Sequence, residues 1–181
     1  TPEEAGHDFL WRIHHAAPGR GEVAIFNRSH YEDVLVVRVH VLIDEKTCKQ
    51  RFEQIVNFEK MLSENDVIIL KFFLHISKDE QKERLQARLD DPSKHWKFSV
   101  GDLGERKLWD EYQAAYEDAL NKTSTEHAPW YVVPADDKKN MRLIVSAAIL
   151  KEMQSMKLKY PELPEEQKKH LQAAKRFLLA E

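Results

Sequence analysis

Cysteine is almost missing from the chain: Cys48 stands alone. One thiol excludes an internal disulfide and a zinc site built on cysteines, and it fits a reducing, cytoplasmic setting. Long hydrophobic runs are also missing. None approaches the roughly 20 residues that a bilayer-spanning helix needs, and no charged-then-apolar leader resembles a signal peptide, so no membrane partner is expected. Nor does charge of one sign dominate, since 28 Lys and Arg against 31 Asp and Glu leave a net charge of -3. Without global basicity there is no case for nucleic acid as partner, and any phosphate site must be a local basic cluster. Internal repeats and low-complexity linkers are lacking too, so 181 residues read as one domain with a sizeable core. The nine histidines are scattered and read as surface or core residues rather than ligands.

What is present alternates between helical and strand-like segments. Thr1-Pro2-Glu3-Glu4 predicts a helix start, followed by Phe9, Leu10, Ile13 and Ala17 at helical spacing. Pro18-Gly19-Arg20-Gly21 breaks that helix and leads into Val23–Phe26, a run of the right length for a buried strand. An amphipathic helix is predicted from about Lys46 to Leu62, with Phe52, Ile55, Phe58, Glu59 and Leu62 marking its faces. Asp66–Ile76 shows almost no alternation, as expected of a central strand covered on both faces. Ser77 then caps a further helix. A short strand is predicted at Trp130–Pro134, a long helix from Asp137 to about Leu158, and a charged helix from Glu165 to Leu179. Strands near 23, 67 and 130 with helices between them predict βα units and a parallel sheet.

The densest chemistry lies at Asn27-Arg28-Ser29-His30-Tyr31-Glu32-Asp33, directly after the first predicted strand. At the carboxyl edge of an open α/β sheet, where ligands bind, such a cluster offers groups that handle phosphate and metal. A solvated turn explains the same composition. The string Ile25–Val36 resembles the second nucleotide-binding (Walker B) segment of the family 2 polyphosphate kinases, in particular the variety called class III. The resemblance continues through Asp90–Ser99, Thr123–Trp130 and Asp137-Lys138-Lys139, three further segments in the right order.

This resemblance implies a P-loop kinase-like three-layer α/β sandwich with a central parallel sheet and a helical lid. Domain limits would be 1–181, with the lid at about 82–110 and carboxyl-terminal helices at about 137–181. The implied activity is Mg²⁺-dependent, in-line phosphoryl transfer between inorganic polyphosphate and a nucleoside mono- or diphosphate. Arg28, Asp33 and Arg88 are the expected catalytic residues, with Asp33 also holding metal. Asp8, Arg12, Asn27 and Glu32 are expected on the acceptor nucleotide. Asn27 departs from the aspartate of typical Walker B strands, which shifts the metal role toward Asp33 or toward the family's phosphate loop. A homo-oligomer, dimer or tetramer, is implied as well, with the helices after Asp137 offering an interface.

The segment Lys82–Lys107 is the expected lid. Arg84 and Arg88 lie one turn apart, a repulsion that an anion between them would relieve. Lys94, Lys97 and Arg106 are the expected polyphosphate contacts, and Trp96, Phe98 and Gly101 suggest an ordered but mobile flap. An exposed charged helix is the plainer account. The family also uses a Gly-x-Asp-x-x-Gly-Lys phosphate loop, and none of the five glycines here lies in one. That loop, with its amino-terminal strand-loop-helix portion, is expected upstream of Thr1. Two other functions fit the same residues: an ATP-dependent nucleoside monophosphate kinase, and a non-catalytic oligomerising fragment of the fold.

Overall fold

The structure is a computed structural model that describes residues 1–180. Thr1 and Glu4 form a reciprocal capping box around α1 (Pro2–Ala5). The expected continuous first helix is in fact two pieces, because Asp8 Oδ1 accepts from the Leu10 amide at 2.9 Å and starts a fresh turn, α2 (Trp11–Ala16). A 3-10 turn (His30–Asp33) and α3 (Val36–Val39) follow. Asp44 Oδ1 caps the 20-residue α4 (Glu45–Glu64) by accepting from the Thr47 amide at 2.7 Å.

Beyond α4 come β1 (Lys71–His75) and α5 (Lys78–Asp90), the latter capped by Ser77 as expected. A second 3-10 turn (Pro92–Lys97), α6 (Gly101–Lys107) and α7 (Trp109–Thr123) precede β2 (Trp130–Pro134). The chain closes with α8 (Lys138–Ser155) and α9 (Glu165–Leu178). Strands β1 and β2 pair in parallel, Lys71 opposite Trp130 through His75 opposite Pro134. The parallel α/β class is therefore seen, as a two-stranded sheet among the described residues.

The predicted strand at Val23–Phe26 does not form. Val23 and Ile25 are 84% and 91% exposed, and no strand among the described residues supplies a ladder. An extended segment without a partner leaves its amides to water, so apolar composition alone does not make it a strand. The Asn27–Asp33 cluster thus sits on a loop and a 3-10 turn rather than at a strand tip.

Two compact units are distinguishable, Thr1–Val145 and a second beginning at Ser146. The core lies in the first. Phe52, Ile55 and Cys48 of α4 meet Ala115 and Ala119 of α7, with Tyr31, Val34 and Leu35 of the 3-10 turn region packed against them. Two alanines one turn apart give α7 a flat face, which lets α4 approach closely. This packing places the polar cluster directly beside the buried core. No helix among the described residues is long and apolar enough to cross a membrane.

Candidate functional site

The cluster is built by a backbone change at Arg28, which takes a left-handed conformation with φ 68°. A non-glycine residue there is strained and persists only when its surroundings over-determine it. Ser29 follows in extended geometry, and its hydroxyl accepts from the Tyr31 amide, opening the 3-10 turn. Within that turn Tyr31 points inward while Glu32 and Asp33 stay half-buried.

Tyr31 ends in a closed polar network. Lys71 Nζ donates to Glu59 Oε2 at 2.6 Å, to the Tyr31 hydroxyl at 2.9 Å and to the Thr123 carbonyl at 2.8 Å. The Tyr31 hydroxyl donates in turn to Glu59 Oε1 at 2.8 Å. An ammonium has three donors and a carboxylate two oxygens, so every charged atom of the pair is used. Burial pulls the Lys71 ammonium below its ordinary range against the attraction of Glu59. Burial, then the Glu59 charge, pushes the Tyr31 phenol up. Trp130 completes the enclosure, edge-on to Tyr31 and within 5.2 Å of the Lys71 ammonium.

On the outer side, Asp33 faces two guanidiniums. Arg12 Nη2 lies 3.7 Å from Asp33 Oδ2, and Arg51 Nη1 lies 3.7 Å from Asp33 Oδ1. Arg51 Nη1 also donates to the Asp33 backbone carbonyl at 2.7 Å, and its guanidinium rests on the Phe9 ring at 4.8 Å. Asp33 Oδ2 is buried and accepts no hydrogen bond. Burial raises the Asp33 carboxyl above its ordinary range, opposed by Arg51, Arg12 and His30. Burial likewise raises Glu32, opposed by Arg28 at 3.9 Å and reinforced by Asp33. Asp8, Phe9, Trp11, Arg12, Asp33 and Arg51 share the wall of a cavity of about 390 Å³, beside which His7 stacks on Trp11 at 4.3 Å.

Of the residues predicted from sequence, Asp8, Arg12 and Asp33 therefore converge on one cavity. Glu32 and the exposed Arg28 pair beside it, and Asn27 is exposed on the loop. The basic segment is placed differently. Arg88 lies 3.6 Å from Asp102, and Lys94 2.6 Å from Asp91, whose carboxyl is held down to about 2 by Lys94 and Ser93. Lys97 sits over the Trp96 ring at 4.8 Å. Arg106 Nη1 donates to the Lys78 carbonyl and to Gln81 Oε1, tying α6 to α5. Arg84 is neutralised by Glu80 at 2.6 Å and donates to the Ala135 carbonyl. Carboxylates within the fold thus face both guanidiniums, Glu80 that of Arg84 and Asp102 that of Arg88. Among the described residues no hydrogen bond or ion pair joins Arg88, Lys94, Lys97 or Arg106 to the Asn27–Asp33 cluster.

Arg51, Glu59 and Lys71 were not among the site residues expected from the sequence, where Glu59 served only to mark a face of α4. The signal was there for two of them. Glu59 falls on the apolar stripe of α4 beside Phe52, Ile55 and Phe58, and Lys71 interrupts the most apolar run of the chain.

For a divalent cation, no group of three or more His, Cys, Asp or Glu comes together among the described residues. Mg²⁺ does not require one, because it keeps several waters and is commonly held by one or two carboxylates plus substrate phosphates. Asp33 and Glu32 are adjacent half-buried carboxylates of the type that such binding uses.

A profile of the Polyphosphate kinase 2 (PPK2) family matches residues 1–161. The chain belongs to the polyphosphate kinase 2 family. It is 52% identical over 162 residues to an AMP/ADP-polyphosphate phosphotransferase of Meiothermus ruber, covering 90% of this chain and 61% of that protein. It is 48% identical over 188 residues to an ADP-polyphosphate phosphotransferase of Rhodopseudomonas palustris, covering 97% of this chain and 65% of that protein. The crystal structure of Polyphosphate Kinase 2 from Arthrobacter aurescens TC1 superposes with a TM-score of 0.91 at 48% identity, covering 99% of this chain and 62% of that one. This polyphosphate kinase 2 chain therefore spans somewhat under two thirds of the length of these relatives.

Proposed function

We propose that the chain forms the acceptor and metal side of a phosphotransferase that moves phosphoryl groups between inorganic polyphosphate and nucleoside mono- or diphosphates. The observation that carries this reading is Asp33, a half-buried carboxylate that lines a cavity together with Arg12 and Arg51. Phosphoryl transfer asks a protein for positioning and for charge rather than for covalent chemistry. An acceptor phosphate oxygen attacks the terminal phosphorus of polyphosphate, and the bridging P–O bond behind that phosphorus breaks. The chain is left one unit shorter, and the reverse transfer uses the same atoms.

Arg12 and Arg51 would bind the acceptor phosphate, and Phe9 and Trp11 offer apolar surface for the rest of the nucleotide. Asp33, assisted by Glu32, would hold Mg²⁺, which supplies charge neutralisation on the phosphates. Arg28 would stabilise charge on the transferring group. Arg88, Lys94 and Lys97 carry positive charge suited to a polyanion, the two lysines exposed and Arg88 half-buried, with Arg106 supporting the segment that presents them. The donor-phosphate loop of Gly-x-Asp-x-x-Gly-Lys form would be contributed by sequence outside this chain. A cytoplasmic homo-oligomer is part of the same reading; exposed apolar side chains on α8, such as Leu143 and Leu150, are suited to an interface between copies.

The test is an assay of the complete protein with polyphosphate, Mg²⁺ and either AMP or ADP, without ATP. Nucleoside di- or triphosphate should accumulate. Product with neither acceptor would overturn the reading, and product only when ATP is the donor would replace it with an ordinary nucleoside monophosphate kinase.

A further inference from the structure

We propose that Glu59 and Lys71 are positioning residues, which grip Tyr31 from beneath and thereby hold the Arg28–Asp33 turn in its working orientation. The inference rests on the reading above for what the turn does, but not for the grip itself.

Four observations carry it. Glu59 and Lys71 are buried side chains, 1% and 6% exposed, and among the described residues the only side-chain hydroxyl to which either hydrogen-bonds is that of Tyr31. Tyr31 lies in the same 3-10 turn as Glu32 and Asp33, so fixing its hydroxyl fixes the direction in which the two carboxylates emerge. Next to that turn, Arg28 holds a strained conformation that needs enforcement from its neighbours. Lastly, α4 grips the turn a second time: Glu59 reaches Tyr31 while Arg51 takes the Asp33 carbonyl. One rigid helix thus sets both the inner and the outer contacts of the turn.

Stability alone does not account for the arrangement. A buried ion pair costs desolvation, and apolar residues of equal volume commonly serve stability as well or better. What an apolar filling does not supply is direction. The ammonium spends its three donors on a carboxylate, a phenol and the end of α7 at Thr123, so it refers the turn to α4, β1 and α7 together.

The experiment compares the complete protein with Tyr31→Phe, which keeps the ring and loses one oxygen, and with the double variant Glu59→Gln/Lys71→Met. Amide hydrogen exchange is followed without substrate at Glu32, Val34 and Leu35, whose N–H groups bond inside the turn. The two variants should exchange there about tenfold faster, while amides near Ala115 and Ala119 stay within about twofold. Turnover with polyphosphate should fall roughly 10- to 100-fold, with the nucleotide KM within about threefold. Unchanged exchange in the turn overturns the grip. Faster exchange with unchanged turnover overturns the positioning role. A wild-type protein inactive with polyphosphate overturns the proposed function instead, and the exchange result still judges the grip.

Discussion

Lys71→Met should be among the most damaging single substitutions in the molecule, far more so than its isolated charge suggests. The Met side chain fills similar volume, so the cost is electrostatic rather than a cavity. Glu59, 1% exposed, would lose the partner 2.6 Å away, and the Thr123 carbonyl and Tyr31 oxygen would each lose a donor. Stranding one member of a buried pair costs about 3–5 kcal/mol. Set against the ~5–15 kcal/mol that stabilises a typical native protein, that is a large fraction. At about 2–4 °C per kcal/mol for chains of this size, the melting temperature should fall by roughly 6–20 °C. Urea titration should show the midpoint displaced at constant slope, the mark of lost stability without a change in exposed surface. Adding Glu59→Gln should recover most of the loss, because the double variant no longer strands a charge. A coupling of at least about 2 kcal/mol is then expected from the double-mutant cycle. A Lys71→Met cost below about 1 kcal/mol, or additivity within about 0.5 kcal/mol, would refute the network as described.

Asp33→Asn should lower turnover about a hundredfold or more, while the melting temperature at neutral pH holds or rises. The sign follows from the raised carboxyl: the folded state binds its proton more tightly than the unfolded chain does, so the stability that proton confers is present at low pH. It is lost as pH rises through the folded pKa, and removing the charge removes that penalty. The acid limb of kcat/KM, checked by a pH profile, should accordingly lie above the ordinary carboxylate range. Arg88→Ala should also cut turnover about a hundredfold, yet leave thermal stability within about 1 kcal/mol, since its pair with Asp102 is long, at 3.6 Å, and only half-buried. Lys97→Ala and Arg106→Ala should part company. The first should weaken polyphosphate binding and flatten its salt dependence by up to about one charge. The second should lower the melting temperature as well, because Arg106 holds the Lys78 carbonyl and Gln81.

Where helix signals were local, the structure agrees with them closely. Ser77 and Asp44 cap α5 and α4, and the periodicity of Phe52, Ile55 and Phe58 marks the buried face of α4. Strand formation was less legible, because it depends on a partner. Val23–Phe26 has the composition of a buried strand and lies exposed, whereas Lys71–His75 pairs with Trp130–Pro134 and forms. At the site, Asp33 and Arg12 were readable as residue types within a motif. Arg51 was not, since its contact with Asp33 spans 18 residues of sequence and follows from how α4 packs. Basic residues in the Lys82–Lys107 segment read as one phosphate surface. The fold divides them into anchors, Arg84 and Arg106, and exposed charges, Lys94 and Lys97. Charge content alone carried no information about that division.

The buried pair and the half-buried carboxylates are best understood together, through the geometry of a 3-10 turn. Such a turn repeats every three residues, so a slip of one position rotates every side chain by about 120°. In the observed register Tyr31 and His30 both lie against Glu59, His30 Nε2 at 3.5 Å, and Asp33 reaches the cavity with Arg12. A slipped turn would bury a carboxylate among Phe52, Ile55 and Trp130 and would swing the Asp33 carboxylate away from the arginines. Apolar packing of a ring is non-directional and penalises such a slip weakly. A phenol that must both donate to Glu59 and accept from Lys71 penalises it strongly, since a slip leaves a buried charge pair short of partners. On this view the charges beneath the turn are retained because they specify one register, and that register is what aims Asp33.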